Sequence, residues 1–431
     1  LIEMDLLYWS RHFRNMPGEG DLNVVGFMRA VAATGYQGPL SLEIFNDQFR
    51  GGSPRTIAGD GQRSLVYLMD QVQRQEPDLK IEAPVMPPRI NPQGIEFVEF
   101  AADEVEAEAL GRLLSTLGFQ QTKRHISKDV SLWSQGEIHL LINTEREGFA
   151  HSAYLTHGLT VCDIGLKVDD AQATVERGRA LGALPFNQPV GPGELEIPAI
   201  RGVGSGLLHF VDDATNLGKL WDIDFEAVES PPAEFSSGLQ SVDHLAQTMN
   251  YEEMLTWLLF YTSIFQVQKS PMVDLVDPGG LVRSQVIESE DCRLRITLNG
   301  ADTHRTLAGR FVAESYGSSV QHIAFACGNL LKTAASLAER GFEALVLPGN
   351  YYEDLEARFG LDPELLQQLR KLNLLYDADE NGEFLQLYST PFGEGMFFEI
   401  VERRGSYRGY GAPNAPYRIA AQKRWLRAQH S

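Results

Sequence analysis

Two short frames of this sequence carry a histidine in the same place: SVDHLAQ at Ser241–Gln247 and SVQHIAF at Ser319–Phe325. His244 and His322 stand 78 residues apart, and Glu399, in GMFFEIVER (Gly395–Arg403), follows 77 residues later. Each lies in an apolar run of strand length. Side chains alternate across a strand, so equivalent positions of a repeated strand face the same way. A carboxylate set among Phe397, Phe398, Ile400 and Val401 needs a partner, because an unpaired buried charge is costly. Two neutral imidazoles and one carboxylate from three strands make a facial triad, which binds a divalent cation and leaves positions open for oxygen and substrate. Ferrous iron suits this donor set, and Mg2+, Mn2+ or Co2+ would also fit. The plainer alternative is a pair of hydrogen-bonded core histidines. Recurrence in register, together with a buried glutamate, favours the metal.

These residues need a scaffold, and the sequence supplies it by repetition. GIEFVEFAA (Gly94–Ala102), TVCDIGLKV (Thr160–Val168), SVDHLAQTM (Ser241–Met249) and SVQHIAFAC (Ser319–Cys327) are each followed by an amphipathic helix and then by further strands. The unit is a strand and a helix followed by antiparallel strands, and it occurs four times. Alignment places Phe97, Asp163, His244 and His322 at one position. Asp163 and His209 (in GLLHFVD, Gly206–Asp212) match the triad in the second unit, but Phe97 leaves a second triad incomplete; an ordinary polar pair is expected there. The remaining histidines (His125, His139, His151, His157, His304 and His430) are expected at the surface or in loops.

Residues 1–80 read differently. An apolar stretch precedes His12 and Arg14, a turn MPGEGD (Met16–Asp21) follows, then a helix at Phe27–Tyr36, a short buried strand at Pro39–Phe45, and a helix around Arg63–Arg74. This alternation predicts a parallel sheet or barrel. Two such units do not close a core, and Leu1 falls inside one, so the chain is expected to begin partway through a longer protein. MPGEGD carries neither phosphate-loop pattern. Ile81–Gln93 holds four prolines and forms a stiff linker. The expected division is thus 1–80, a linker at 81–93, a scaffold half at 94–230 (units one and two) and a metal-binding half at 231–431 (units three and four).

Composition sets bounds. A formal charge of −21 disfavours nucleic acid and anionic membranes as partners. No apolar run reaches the ~20 residues that span a bilayer. Cys162, Cys292 and Cys327 lie far apart without a CxxC pair, which suits a reducing cytoplasm.

SVDHLAQ, SVQHIAF, GEFLQLYST (Gly382–Thr390), FFEIVER (Phe397–Arg403) and GYGAPNAPY (Gly409–Tyr417) resemble 4-hydroxyphenylpyruvate dioxygenases of the vicinal oxygen chelate superfamily. The resemblance covers about residues 94–420. It implies an α+β fold of four βαβββ modules in two curled sheets, with His244, His322 and Glu399 as metal ligands. It also implies a pocket at Asn299, Gln386, Tyr388 and Asn414. The pocket departs from the family pattern. Tyr388 stands where a phenylalanine is usual, and Pro413-Asn414-Ala415 lacks the tail aromatic.

RHFRNMPGEGDL with GYQGPLSLEIFN (Arg11–Asn46) resembles the last units of sugar-phosphate isomerase-like (β/α)8 barrels, which end in a metal-ligating glutamate, here Glu43, beside His12 and Arg14. Together the two parts resemble bacterial two-domain 3-dehydroshikimate dehydratases, whose barrel forms protocatechuate with a divalent metal. The resemblance implies a cytoplasmic lyase of aromatic catabolism, acting on small molecules as a homo-oligomer. Two other readings stay open: a Fe2+-dependent dioxygenase of 4-hydroxyphenylpyruvate or another α-keto acid, and a non-catalytic, metal-stabilised module for assembly or sensing.

Overall fold

A computed structural model describes residues 5–228 and 236–429. His430 and the expected division at 230/231 lie outside the described residues. Two nine-stranded sheets are built on one plan. In the first, Pro92–Ala101 pairs antiparallel with Thr160–Val168, and each takes a parallel neighbour on its far side, Ile138–Asn143 and Leu207–Val211 respectively. In the second, Leu239–Asn250 pairs antiparallel with Ser319–Cys327, flanked in parallel by Arg295–Ala301 and Phe397–Gly405. This is the vicinal oxygen chelate arrangement, with four lead strands at the sheet centres.

A helix follows every lead strand: Glu104–Thr116, Ala171–Ala180, Tyr251–Ile264 and Leu330–Glu339. Three start the same way, with Asp103, Asp170 or Asn329 accepting from the backbone N–H three residues on. Such caps satisfy donors that the first turn leaves unpaired. One core runs through both halves, where Phe100 meets Phe398 edge to face and Phe119 packs on Phe325.

The leading part is helical where strands were expected. The apolar stretch before His12 is the helix Leu6–His12, capped by the Asp5 side chain. The predicted strand Pro39–Phe45 joins no sheet; one backbone hydrogen bond, from the Arg14 N–H to the Phe45 carbonyl, and an isolated bridge between Phe13 and Asn46 mark it. An extended segment becomes a strand only when a neighbour takes its ladder hydrogen bonds. The predicted helices at Phe27–Tyr36 and Arg63–Arg74 are found at Val24–Ala33 and Pro54–Gln75.

The proline-rich linker is pinned to the second half. Ile90 exchanges backbone hydrogen bonds with Ile264 and Gln266, and the Arg89 guanidinium donates to the Phe265 carbonyl at 2.6 Å. Beneath it lies Arg177, wholly buried on the second module's helix. Its guanidinium donates to Asp70, to the Ser263 carbonyl and to the Pro87 carbonyl, so one side chain ties four segments together.

Candidate metal centre

Register brings the three donors to one point. His322 lies opposite Ala246 and His244 opposite Ala324, while Ala324 pairs with Glu399 on its other side. His244 Nε2 and His322 Nε2 stand 3.2 Å apart, and Glu399 Oε2 lies 3.4 and 3.3 Å from them. Among the described residues this is the one group of three or more such donors whose ligand atoms all fall within 4.8 Å of one another.

Each donor is held from behind. A β-bulge between Val242 and His244 leaves Asp243 unpaired in the ladder, and its carboxylate meets His244 Nδ1 at 2.7 Å. Arg403 holds Asp243 with two hydrogen bonds and Arg295 adds a third. His322 stacks on Phe397 with ring centroids 4.8 Å apart. Glu399 Oε1 accepts from Gln386 at 2.8 Å and from the Tyr388 hydroxyl at 3.1 Å, which leaves Oε2 aimed at the imidazoles. Asn414 donates to Gln386 and accepts from Tyr351. Gly411 lets that tail pass close, since a Cβ there would meet Gln386 Oε1 at 2.2 Å.

Electrostatics follow this geometry. Burial would raise the Glu399 carboxyl, but the two imidazoles outweigh it and hold it well below the carboxylate range. Burial pushes His322 down to about 4, so its ring is neutral at physiological pH. For His244, burial is overcome by hydrogen bonds to Asp243 and Glu399, and its pKa rises. Two imidazole nitrogens and a carboxylate oxygen facing one point are a donor set for a divalent cation.

Of the expected pocket residues, Gln386, Tyr388 and Asn414 gather around Glu399, whereas Asn299 does not. It pairs with Thr248, beyond the triad, and its Oδ1 has no partner. In the barrel-end segment, Arg14 pairs with Glu43 at 3.4 Å, and His12 pairs instead with Asp47 at 2.8 Å. Glu43 is largely exposed, and no group of three donors converges on it among the described residues. Sequence reasoning missed Asp243, Arg295 and Arg403. Asp243 sits directly before the first histidine, but an unbroken strand would point it away. It also missed Arg418, whose guanidinium lies over the Tyr388 and Phe397 rings. Asp163 and His209, expected as a polar pair, are hydrogen-bonded at 2.5 Å.

Known proteins share this organisation. The family model "Hydroxyphenylpyruvate dioxygenase, HPPD, N-terminal" matches residues 88–226, and "Glyoxalase/Bleomycin resistance protein/Dioxygenase superfamily" matches 241–365. A 3-dehydroshikimate dehydratase of Pseudomonas putida is 41% identical over 98% of this chain and 67% of its own length. One from Pseudomonas aeruginosa is 42% identical with the same coverage. The chain belongs to the 3-dehydroshikimate dehydratase family. It spans about two-thirds of the length of these family members. A solved structure described as a "xylose isomerase-like TIM barrel/4-hydroxyphenylpyruvate dioxygenase fusion protein" superposes with a TM-score of 0.87 at 40% identity, covering 98% of this chain and 68% of the other. The 4-hydroxyphenylpyruvate dioxygenase of Pseudomonas aeruginosa is 31% identical over 75% of this chain and 92% of its own. The family is therefore a fusion of barrel and dioxygenase-like module. The superfamily of that module implies a divalent cation, and the donor set present fits one. No helix among the described residues is long and apolar enough to cross a membrane.

Proposed function

We propose that this protein takes part in the metal-dependent dehydration of 3-dehydroshikimate to protocatechuate, through its barrel part, and that its dioxygenase-like half holds a divalent cation on His244, His322 and Glu399. The observation that carries the first reading is alignment with two 3-dehydroshikimate dehydratases along 98% of the chain, barrel end included. The domain reading, 1–80 as final barrel units, 81–93 as linker, 94–230 and 231–431 as dioxygenase-like halves, is supported by Leu22 and Phe27. Both are more than two-thirds exposed on the leading helical segment, where neighbouring barrel units would cover them. The protein with its complete barrel, supplied with Mg2+, Mn2+ or Co2+, should form protocatechuate from 3-dehydroshikimate, followed by its absorbance. Absence of product with every cation would overturn the assignment.

In the barrel part, Glu43 would supply one cation ligand beside Arg14, and His12, which pairs with Asp47, would exchange a proton. In the second half, His244, His322 and Glu399 would hold a divalent cation, Fe2+ by donor type, which would supply Lewis acidity. The chain's own part there is orientation: Asp243 sets the His244 ring, and Gln386 and Tyr388 fix Glu399. A non-catalytic, metal-stabilised role is favoured over dioxygenation by the closed packing. The His244 and Glu399 side chains are 4% and 2% exposed, and the Tyr388 hydroxyl stands on Glu399 where the family usually has phenylalanine. Oxygen uptake with Fe2+ and a panel of α-keto acids would decide for the dioxygenase. The unpaired cysteines support a cytoplasmic setting. A homo-oligomer, the remaining proposal, is tested by light scattering.

A further inference from the structure

The first half contains a second cup, and we infer that it binds an organic ammonium ion. Its strands repeat the register of the metal-binding half. Phe97 pairs with Gly165 as His244 pairs with Ala324, and Gly165 pairs with His209 as Ala324 pairs with Glu399. Asp163 and His209 thus stand where His322 and Glu399 stand, and the Phe97 ring replaces His244. The ring lies against Gly165, where any Cβ would come within 2.3 Å of it. Glu99, one strand over, is paired in register with Asp163.

These side chains line a cavity of about 1760 Å3. Its floor has acceptors in excess of donors. Asp163 is 5% exposed, its Oδ2 is taken by His209, and its Oδ1 has no partner. Glu99 accepts from Asn143 through Oε1. A buried, unsatisfied carboxylate oxygen is costly, so a ligand carrying N–H or O–H groups is favoured there. A bare metal ion is not, because these donors fail to converge as the triad does.

Charge narrows the class. Eight aspartates and glutamates line the cavity against three lysines and arginines. A low-dielectric cleft with an excess of one sign focuses its field and concentrates the opposite ion. Organic anions, including the hydroxy acids expected at the barrel, are repelled. An ammonium group brings positive charge and up to three N–H donors. Phenylalanine faces add to the attraction. Phe149 in the same lining already holds the Arg201 guanidinium 4.8 Å from its ring centroid. The site is independent of the proposed dehydratase and of the triad.

Calorimetric titration of the protein with benzylamine, and with its uncharged analogue benzyl alcohol, tests this. Benzylamine should bind in the millimolar range or tighter, at least about ten-fold better than benzyl alcohol, which corresponds to about 1.4 kcal/mol. Asp163→Asn and Glu99→Gln should each weaken it about ten-fold or more. Thermal unfolding shows that each variant folds, and Glu99→Gln alone decides if Asp163→Asn does not. No binding, equal binding of the alcohol, unchanged affinity in both variants, or binding of MgCl2 alone that Asp163→Asn abolishes would each overturn the inference.

Discussion

Asp243 and His244 are neighbours in the chain, yet the Asp243 carboxylate accepts from His244 Nδ1–H at 2.7 Å on the same side of the sheet. Regular pleating sends adjacent side chains to opposite faces. The bulge after Val242 breaks that alternation, as bulges beside functional sites often do. With Nδ1 held by Asp243, His244 turns Nε2 toward His322 and Glu399, where a bound cation would take its lone pair. Burial works against the Asp243 charge, but His244 and Arg403 hold its carboxyl well below the usual range.

Replacing Asp243 with Asn keeps an acceptor beside His244 and removes the charge. Divalent-cation affinity should fall about 10- to 100-fold, the usual cost of losing the group behind a ligating histidine. Titration of Mn2+ or Co2+ into metal-free protein measures it. Unchanged affinity would show that the ring is oriented by something else.

Removing the cation should cost stability by mass action, since the unfolded chain does not gather the three donors. Chelation is expected to lower the unfolding temperature by several degrees. In His322→Ala the chelator should have no further effect. A melting curve that ignores the chelator in the wild type contradicts a bound cation.

Arg177→Ala removes one of two guanidinium partners of the buried Asp70, leaving Arg74, and leaves three carbonyl contacts unmade. The expected loss is about 3 kcal/mol, at the low end for breaking a buried pair from one side because Arg74 still compensates the charge. Urea unfolding of Arg177→Ala, Asp70→Asn and the double variant should show strong non-additivity, because both residues belong to one network.

Glu19, in the MPGEGD turn, is almost wholly buried. Burial pushes its carboxyl up from 4.5 to about 8, although the Met16 N–H bond works the other way. The folded protein therefore keeps a proton that the unfolded chain releases earlier. That contribution is fully present below about pH 4.5 and is lost as pH rises through about 8. Glu19→Gln cannot ionise, so its stability should gain on the wild type between pH 5 and pH 8. At about 1.4 kcal/mol per pKa unit the gain is up to a few kcal/mol. Unfolding at the two pH values reads the difference, and a constant gap would refute it.

His244, His322 and Glu399 could be selected from sequence because the scaffold repeats. A period near 78 residues and a two-residue side-chain alternation suffice to put three positions on one face of one sheet. The four modules were legible for the same reason: they depend on local pattern. Pairing was not. Pro39–Phe45 has the composition of a strand but no ladder partner among the described residues, so it joins no sheet. Asp243 reaches its histidine only through a bulge that depends on the neighbouring strand. Arg177, Asp70 and Ser263 meet across nearly two hundred residues. The floor of the first cup needs Glu99 in register with Asp163, one strand away. Sequence by itself determined which side chains share a face, because the period of a strand is local. Only the tertiary structure decided what each face meets, because register, bulges and burial arise from elements far apart in the chain.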